Sequence, residues 1–328
     1  MVAGRALVTG ATGGLGRILT MTLLDHGRDV IATGRDPTRG AALSKAGARF
    51  AAVDLVHEIP RQLLDGVSTV FHLAALSSPW GRPADFVAAN QTMTRQLLDA
   101  ARTAGVRRFL FASTPSIYTR AAHQMELTEV SPLPARLVNA YARTKLAAEQ
   151  AMLSAAASGF ATVALRPRAV IGPHDTVLLP RLLRAARSGT MPLPGFGRAL
   201  IEPTDARDVC AAFLAAETRC DAVSGRAFNI SGGQPVPLAT LAEHVFHRLG
   251  RRVRMIPLPA RLVLALAYMA EIGALRPGAP EPKLTVYAAK ALGWSQTFDL
   301  GAARAALGWT PTRSPFAAID WALGYADA

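Results

Sequence analysis

The run Thr9-Gly10-Ala11-Thr12-Gly13-Gly14-Leu15-Gly16 constrains this chain more than any other stretch. Ahead of it, the apolar Ala6-Leu7-Val8 reads as a buried strand within Met1 to Val8. Beyond it, Leu15, Ile18, Leu19 and Leu23 recur at helical spacing until Gly27 offers a stop. Strand, glycine turn and helix in that order make a phosphate grip. Gly10 permits a turn that a Cβ would obstruct, Gly13 lets backbone approach a pyrophosphate, and Gly16 lets the helix lie close to the strand. The phosphate charge then meets the helix N-terminus, with Gly10, Thr12, Gly13, Gly14 and Leu15 around it. This spacing in this context points to a dinucleotide.

The remaining composition suits that reading. The chain has 328 residues, half of them hydrophobic, enough for one large α/β domain or two unequal lobes. The formal charge of +13 comes from basic residues scattered along the chain, without a block of five or six like charges. Such diffuse basicity favours anionic small ligands and argues against nucleic acid. The two cysteines, Cys210 and Cys220, lie in or beside an apolar helical segment and read as buried thiols of a reducing compartment. The first residues lack a charged leader followed by a long apolar region, so a cytoplasmic location is expected. The most apolar later stretch, Leu258 to Leu275, carries Arg261 and Glu271 and falls short of a membrane span. It reads as a pocket wall or lid, with a peripheral membrane contact as the alternative. His244 and His247 sit three apart on a helix with no Cys, Asp or Glu cluster to complete a metal site, so no metal is expected.

Taken in order, the chain alternates strands and helices. Strands are expected at 30–33, 49–53, 68–73, 107–112 and 160–165, and helices at 42–46, 84–104 and 139–157. This is the pattern of an α/β, Rossmann-type doubly wound parallel sheet, whose ligands lie beyond the carboxyl ends of the strands. Residues 1–172 are expected to form the nucleotide-binding domain, with 201–231 returning to it. The prolines and glycines that follow Gly172 open a smaller, mostly C-terminal substrate lobe, 173–200 and 232–328. At the end of the second strand stands Arg35, where a carboxylate would select the free ribose hydroxyl of NAD. An arginine suits a 2′-phosphate, so NADP(H) is expected over NAD(H). If Arg35 only caps a solvated loop, Asp36 could turn back to the ribose. Asp54 closes the third strand, where it can accept from an adenine amino group. Leu73, Ala74 and Ala75 end the fourth with small residues along which a cofactor can lie.

Chemistry enters with Tyr141 and Lys145, four apart on one helix face. An ammonium beside a phenol lowers its pKa and lets it exchange a proton near neutrality. Thr114, just past the fifth strand, can hold the same carbonyl oxygen. With Asp54-Leu55, His72-Leu73-Ala74-Ala75, Asn90, Ser113-Thr114-x-Ser116-x-Tyr118, Arg166-Pro167 through Gly172-Pro173 and Leu307-Gly308-Trp309-x-Pro311, these motifs run through nearly the whole chain in order. In them the sequence resembles the extended short-chain dehydrogenases/reductases. Within that superfamily Ser113-Thr114-Pro115-Ser116, Leu165-Arg166-Pro167-Arg168, Leu178-Leu179-Pro180-Arg181-Leu182 and the apolar stretch after Pro257 look most like the 3β-hydroxysteroid dehydrogenase-like branch, near bacterial 2-alkyl-3-oxoalkanoate reductases.

The resemblance implies that Thr114, Tyr141 and Lys145 are the catalytic set, with Ser113 and Ser116 nearby and Asn90 supporting a proton relay. It also implies cofactor contacts from Leu55, Leu73, Pro167, Ala169, Val170, Tyr141 and Lys145, and a homodimer built on helices 84–104 and 139–157. The expected reaction is hydride exchange between NADP(H) and a hydrophobic ketone or secondary alcohol: β-keto acyl, sterol-like or aryl. A sugar-nucleotide epimerase or dehydratase with tightly held NAD is the first alternative, and a non-catalytic NADP(H) sensor the second. Pro115 inside the catalytic loop, Thr119 after Tyr118, and Asp205-Ala206-Arg207-Asp208 depart from the usual pattern. The last of these bears on the substrate wall.

Overall fold

In a computed structural model, which describes residues 4–173, 175, 179–275 and 281–325, seven strands form one parallel sheet. They are β1 (Arg5–Thr9), β2 (Val30–Gly34), β3 (Arg49–Ala52), β4 (Val67–His72), β5 (Arg108–Ala112), β6 (Ala161–Pro167) and β7 (Arg226–Ile230). Across the sheet the order is 7-6-5-4-1-2-3. The order reverses between β1 and β4, which run side by side with Thr9 opposite His72. A crevice at such a reversal is where doubly wound sheets receive ligands. Alternate residues of a strand face opposite sides, and the two sides are both covered. Ala6 and Val8 of β1 join Leu19, Leu110 and Phe213 in one apolar cluster, while Leu7 joins Leu97, Phe109 and Met152 in the other.

The helices that frame the site follow their sequence signals. Helix α1 (Gly14–Asp25) stops at Gly27, which takes φ +72°. Helix α2 (Pro37–Lys45) begins five residues before the expected 42, because Asp36 caps it through the Arg39 N–H at 3.0 Å and Pro37 opens its first turn. The run 83–103, here α3, is interrupted by a π-helical turn, Val87–Thr92, which carries Asn90. Helix α4 (Ala140–Ser154) holds Tyr141 and Lys145 and is capped by Asn139.

After β6 the chain builds a second body of apolar contacts. Helix α5 (Leu179–Ser188) is followed by α6 (Ala206–Arg219) and β7, which pairs in parallel with β6. Then come α7 (Leu238–Arg248), α8 (Ala260–Gly273) and α9 (Val286–Gly293). Leu182, Leu193, Leu241, Val245 and Ile319 share one cluster here. Two short pairings were not expected: Thr190–Pro194 with Arg254–Leu258, and Gln124–Leu127 with Gln296–Phe298. Their partners lie far apart in the chain, so local pattern carries no sign of them. Leu178 and Met1 to Ala3, named above, lie outside the described residues.

Candidate active site

The turn after β1 is built for close approach. Gly10 adopts φ +68°, and a Cβ there would stand 2.8 Å from the Ala74 backbone nitrogen. A Cβ on Gly16 would lie 2.2 Å from the Gly10 carbonyl oxygen, so helix and turn touch backbone to backbone. No side chain caps the N-terminus of α1, and its first turn holds no acidic residue. Uncapped N–H groups at a helix start, with glycine at the cap, fit a pyrophosphate. Arg35 is exposed just past β2, while the Asp36 carboxylate is engaged with the backbone and guanidinium of Arg39. Asp54 and Leu55 follow β3; Asp54 accepts from the Val56 N–H at 3.1 Å. Thr12, Leu15, Leu73, Ala74 and Ala75 are half-buried along the ends of β1 and β4, and Pro167, Ala169 and Val170 are half-buried at and after the end of β6.

His72 ties these ends together. Its ring is fully buried, with Nδ1 2.7 Å from Thr9 Oγ1 and Nε2 2.9 Å from Thr94 Oγ1. The Thr94 hydroxyl donates to the Asn90 carbonyl, so it accepts from Nε2–H. The Thr9 hydroxyl accepts from the Ala74 N–H and donates to Nδ1. The chain of bonds therefore needs a neutral imidazole, and burial drives its pKa from 6.5 to about 3, with Lys145 adding to the effect. Because the folded value is depressed, stability is full above pH 6.5 and is lost as pH falls towards 3. Between pH 7 and 4.5 the loss from this residue should reach roughly 2–3 kcal/mol. It should appear in urea midpoints as a steeper fall for wild type than for His72→Gln; equal falls would remove His72 as the cause.

The catalytic candidates meet on the other side of β4. Thr114 caps a short 3-10 turn, Pro115–Tyr118, accepting from the Ser116 N–H at 3.1 Å and donating to Ser116 Oγ at 3.0 Å. Pro115 is therefore accommodated, since the first position of such a turn needs no N–H. The Thr114 side chain also lies near the Tyr141 phenol, where it favours the ionised form. Ser113 Oγ is buried beside them with no hydrogen-bond partner.

Lys145 is 2% exposed, its Nζ 3.8 Å above the Phe111 ring, and burial lowers its pKa to about 7, with Glu149 opposing. Where Lys145 was expected to lower the Tyr141 phenol, the net shift runs the other way. Burial pushes Tyr141 up to about 12, with the nearby Thr114 side chain opposing and Tyr287 adding to the rise.

Asn90, expected to support a proton relay, is buried with its side chain fully engaged. Its amide accepts from the Leu76 N–H at 2.7 Å and donates to the Leu76 carbonyl and to Thr144 Oγ1, fastening the π turn to the loop after β4 and to α4. Asp205-Ala206-Arg207-Asp208 is likewise a fastening. Asp205 caps α6 and pairs with Arg207 at 2.6 Å, and Asp208 accepts from the backbone and side chains of Thr312 and Arg313, anchoring the C-terminal motif. Neither aspartate is left for a substrate wall.

Three participants were not read from the sequence. Glu149 forms a bidentate pair with Arg166, 2.9 and 2.5 Å, one helical turn from Lys145. Its i+4 spacing was a usable signal. Tyr287 on α9 places its hydroxyl 3.1 Å from Ser116 Oγ, 171 positions away in sequence. Arg168, a motif residue above, is buried beside Tyr287 and Glu202. The stretch Leu258 to Leu275 forms α8, whose inner face, Val263 and Ala267, packs on Val286 and Ala289. Glu271 accepts from the Val286 N–H at 2.7 Å and so fixes the start of α9. Leu262, Leu266, Met269 and Ile272 face outward. Among the described residues no helix is long and apolar enough to cross a membrane.

The sequence model of the NAD dependent epimerase/dehydratase family matches residues 6–231, the whole of the parallel sheet. The chain belongs to this family. As an epimerase/dehydratase-family member it is an extended short-chain dehydrogenase/reductase and an NAD(P)-dependent oxidoreductase. It is 32% identical over 308 residues to a 4-hydroxy-2-methyl-3-oxo-4-farnesyl-3,4-dihydroquinoline-1-oxide ketoreductase of Stigmatella aurantiaca, covering 93% of this chain and 91% of that one. It is 31% identical over 324 residues to a 2-alkyl-3-oxoalkanoate reductase of Shewanella oneidensis, covering 93% and 82%. Among solved structures it resembles MoeE5 in complex with UDP-glucuronic acid and NAD, at TM-score 0.77 and 26% identity over 99% of both chains.

Proposed function

We propose that this enzyme reduces a hydrophobic ketone with NADPH. The observation that carries the reading is the placement of Tyr141 and Lys145 on α4 beside the end of β5, with Lys145 Nζ 3.8 Å above the Phe111 ring and Thr114 capping the turn that follows that strand. A phenol kept neutral at pH 7 serves as a proton donor to a developing alkoxide, the demand of reduction. Bound NADPH would supply the hydride, and the chain's residues do the rest. Thr114 holds the carbonyl oxygen, Tyr141 protonates it, and Lys145 sits one turn along α4 to orient the nicotinamide ribose. The uncapped start of α1, the glycine turn from Gly10 to Leu15, Asp54 and Leu55 after β3, Leu73 to Ala75 after β4, and Pro167, Ala169 and Val170 at the end of β6 would hold the cofactor. Arg35, free of an ion pair among the described residues and exposed past β2, would meet the 2′-phosphate, while Asp36 is committed to α2.

Support for an apolar ketone comes from the two relatives, whose names specify a farnesylated quinoline and an alkylated oxoalkanoate. The resemblance to a UDP-glucuronic acid complex keeps the epimerase alternative open to test. The purified enzyme should oxidise NADPH when given β-keto esters, sterol ketones or aryl ketones. Tightly held NAD with no net NADPH consumption would overturn the reading. In the same assay Arg35→Asp should raise the KM for NADPH roughly 10- to 100-fold, as expected for loss of a charge-assisted phosphate contact, and change that for NADH little. Equal changes would remove Arg35 from the phosphate site.

A further inference from the structure

Arg168 follows β6 directly at the carboxyl edge of the sheet and is only 4% exposed. Its backbone is tightly held: the N–H donates to the Ile230 carbonyl at 2.8 Å, and the carbonyl accepts from Thr204 Oγ1 at 2.5 Å. The next residue, Ala169, has φ +41°, a left-handed conformation that costs a residue with a Cβ about 1 kcal/mol or more. The turn therefore holds Arg168 in one place at some expense in strain. Its Nε has no hydrogen-bond partner, and among the described residues its guanidinium makes no ion pair within 4.0 Å. The other buried arginine at this edge among the described residues, Arg166, is matched by Glu149.

A buried guanidinium with no carboxylate at ion-pair distance is an expensive arrangement unless it serves a ligand. The groups around Arg168 are engaged elsewhere. Glu202, the carboxyl within its field, makes no ion pair with it within 4.0 Å and accepts at Oε2 from the Ser231 hydroxyl at 2.5 Å and from the Phe298 N–H at 3.2 Å. Tyr287, the other neighbour, leads straight to the reacting groups. Its hydroxyl is 3.1 Å from Ser116 Oγ, which is 3.0 Å from Thr114 Oγ1, and it lies within electrostatic range of both the Tyr141 phenol and Arg168. The unmatched cation and the carbonyl-holding hydroxyls thus share one buried cluster, bridged by a single tyrosine.

We propose that Arg168 is a specificity-determining residue that receives the carboxylate of a 3-oxo acid whose ketone oxygen is held by Thr114 and Tyr141. This rests on the ketoreductase reading and narrows it from hydrophobic ketones to those bearing an acid group two carbons from the ketone carbon. Tyr287, hydrogen-bonded to Ser116, lies between the two ends of such a substrate and can donate to either oxygen.

The test compares freshly saponified 2-methyl-3-oxodecanoate with its neutral methyl ester, using NADPH and wild type, Arg168→Gln and Arg168→Lys. Wild type should prefer the acid. Arg168→Gln should lose roughly 10- to 100-fold more in kcat/KM on the acid than on the ester, mainly through KM, and Arg168→Lys should recover part of the difference. Decanoate, a carboxylate that cannot react, should raise the melting temperature of wild type more than that of Arg168→Gln, a readout independent of turnover. Equal use of acid and ester by wild type, or equal losses on both in Arg168→Gln, would overturn the carboxylate subsite while leaving the ketoreductase reading intact. No turnover of either compound by wild type would overturn that reading and the subsite with it.

Discussion

Tyr141→Phe should lower kcat/KM for NADPH-dependent ketone reduction by roughly 10²- to 10⁴-fold, the usual contribution of a positioned proton donor. The variant removes one oxygen from a buried site. It keeps the ring and the helix, so folding should be nearly unchanged. The loss should fall mostly in kcat, since Thr114 still holds the carbonyl and only transition-state protonation is removed. Because burial holds the phenol pKa near 12, reduction by wild type should show no deprotonation of Tyr141 between pH 6 and 9. The reverse oxidation, which needs the phenolate, should climb throughout that range. Steady-state rates in both directions with the best ketone and its alcohol provide the check. Undiminished turnover by Tyr141→Phe would exclude the mechanism.

The second large effect is on stability. Arg166→Met should destabilise the protein by roughly 3–5 kcal/mol, the range for breaking a buried ion pair from one side. Arg166 is 7% exposed and Glu149 1% exposed, and the two share a bidentate contact. Without the guanidinium, the Glu149 carboxylate stays in the core one turn from Lys145, and the Tyr118 hydroxyl loses the donor that reaches it from Arg166. Replacing both members, Arg166→Met with Glu149→Leu, should recover much of the loss, because the cost lies in the stranded charge. Urea unfolding of the two single variants and the double variant measures this directly. A double variant as unstable as the sum of the singles would show that the pair acts through packing alone.

Much of this architecture was legible in the residues. The apolar runs that become β1, β4, β5 and β6 are short and buried on both faces, and such runs between glycine-rich turns can serve only as central strands of a covered parallel sheet. The grip at Thr9 to Gly16 was readable because glycine is chosen there by backbone geometry, and Tyr141 and Lys145 because helix periodicity alone sets their shared face. Capping made a boundary readable only in retrospect. Asp36-Pro37 is a helix start, and once Asp36 is seen as a cap it stops being a rival to Arg35 for the ribose.

What escaped the sequence depends on desolvation and on distant contacts. A tyrosine near a lysine suggests a lowered phenol pKa, yet burial pushes it upward and is visible only once neighbours surround the ring. The side chains of Asn90 and Asp208 fasten segments far apart in the chain, contacts that no local spacing announces. By itself the sequence determined the strands, the glycine turn after β1 and the shared helix of Tyr141 and Lys145, since each is written in spacing over fewer than a dozen residues. Only the tertiary structure decided that Tyr287 reaches Ser116 from 171 positions away and that Arg168 is buried beside it with no ion pair within 4.0 Å among the described residues. Charge balance in a core is a property of everything packed around a group, and no local pattern encodes it.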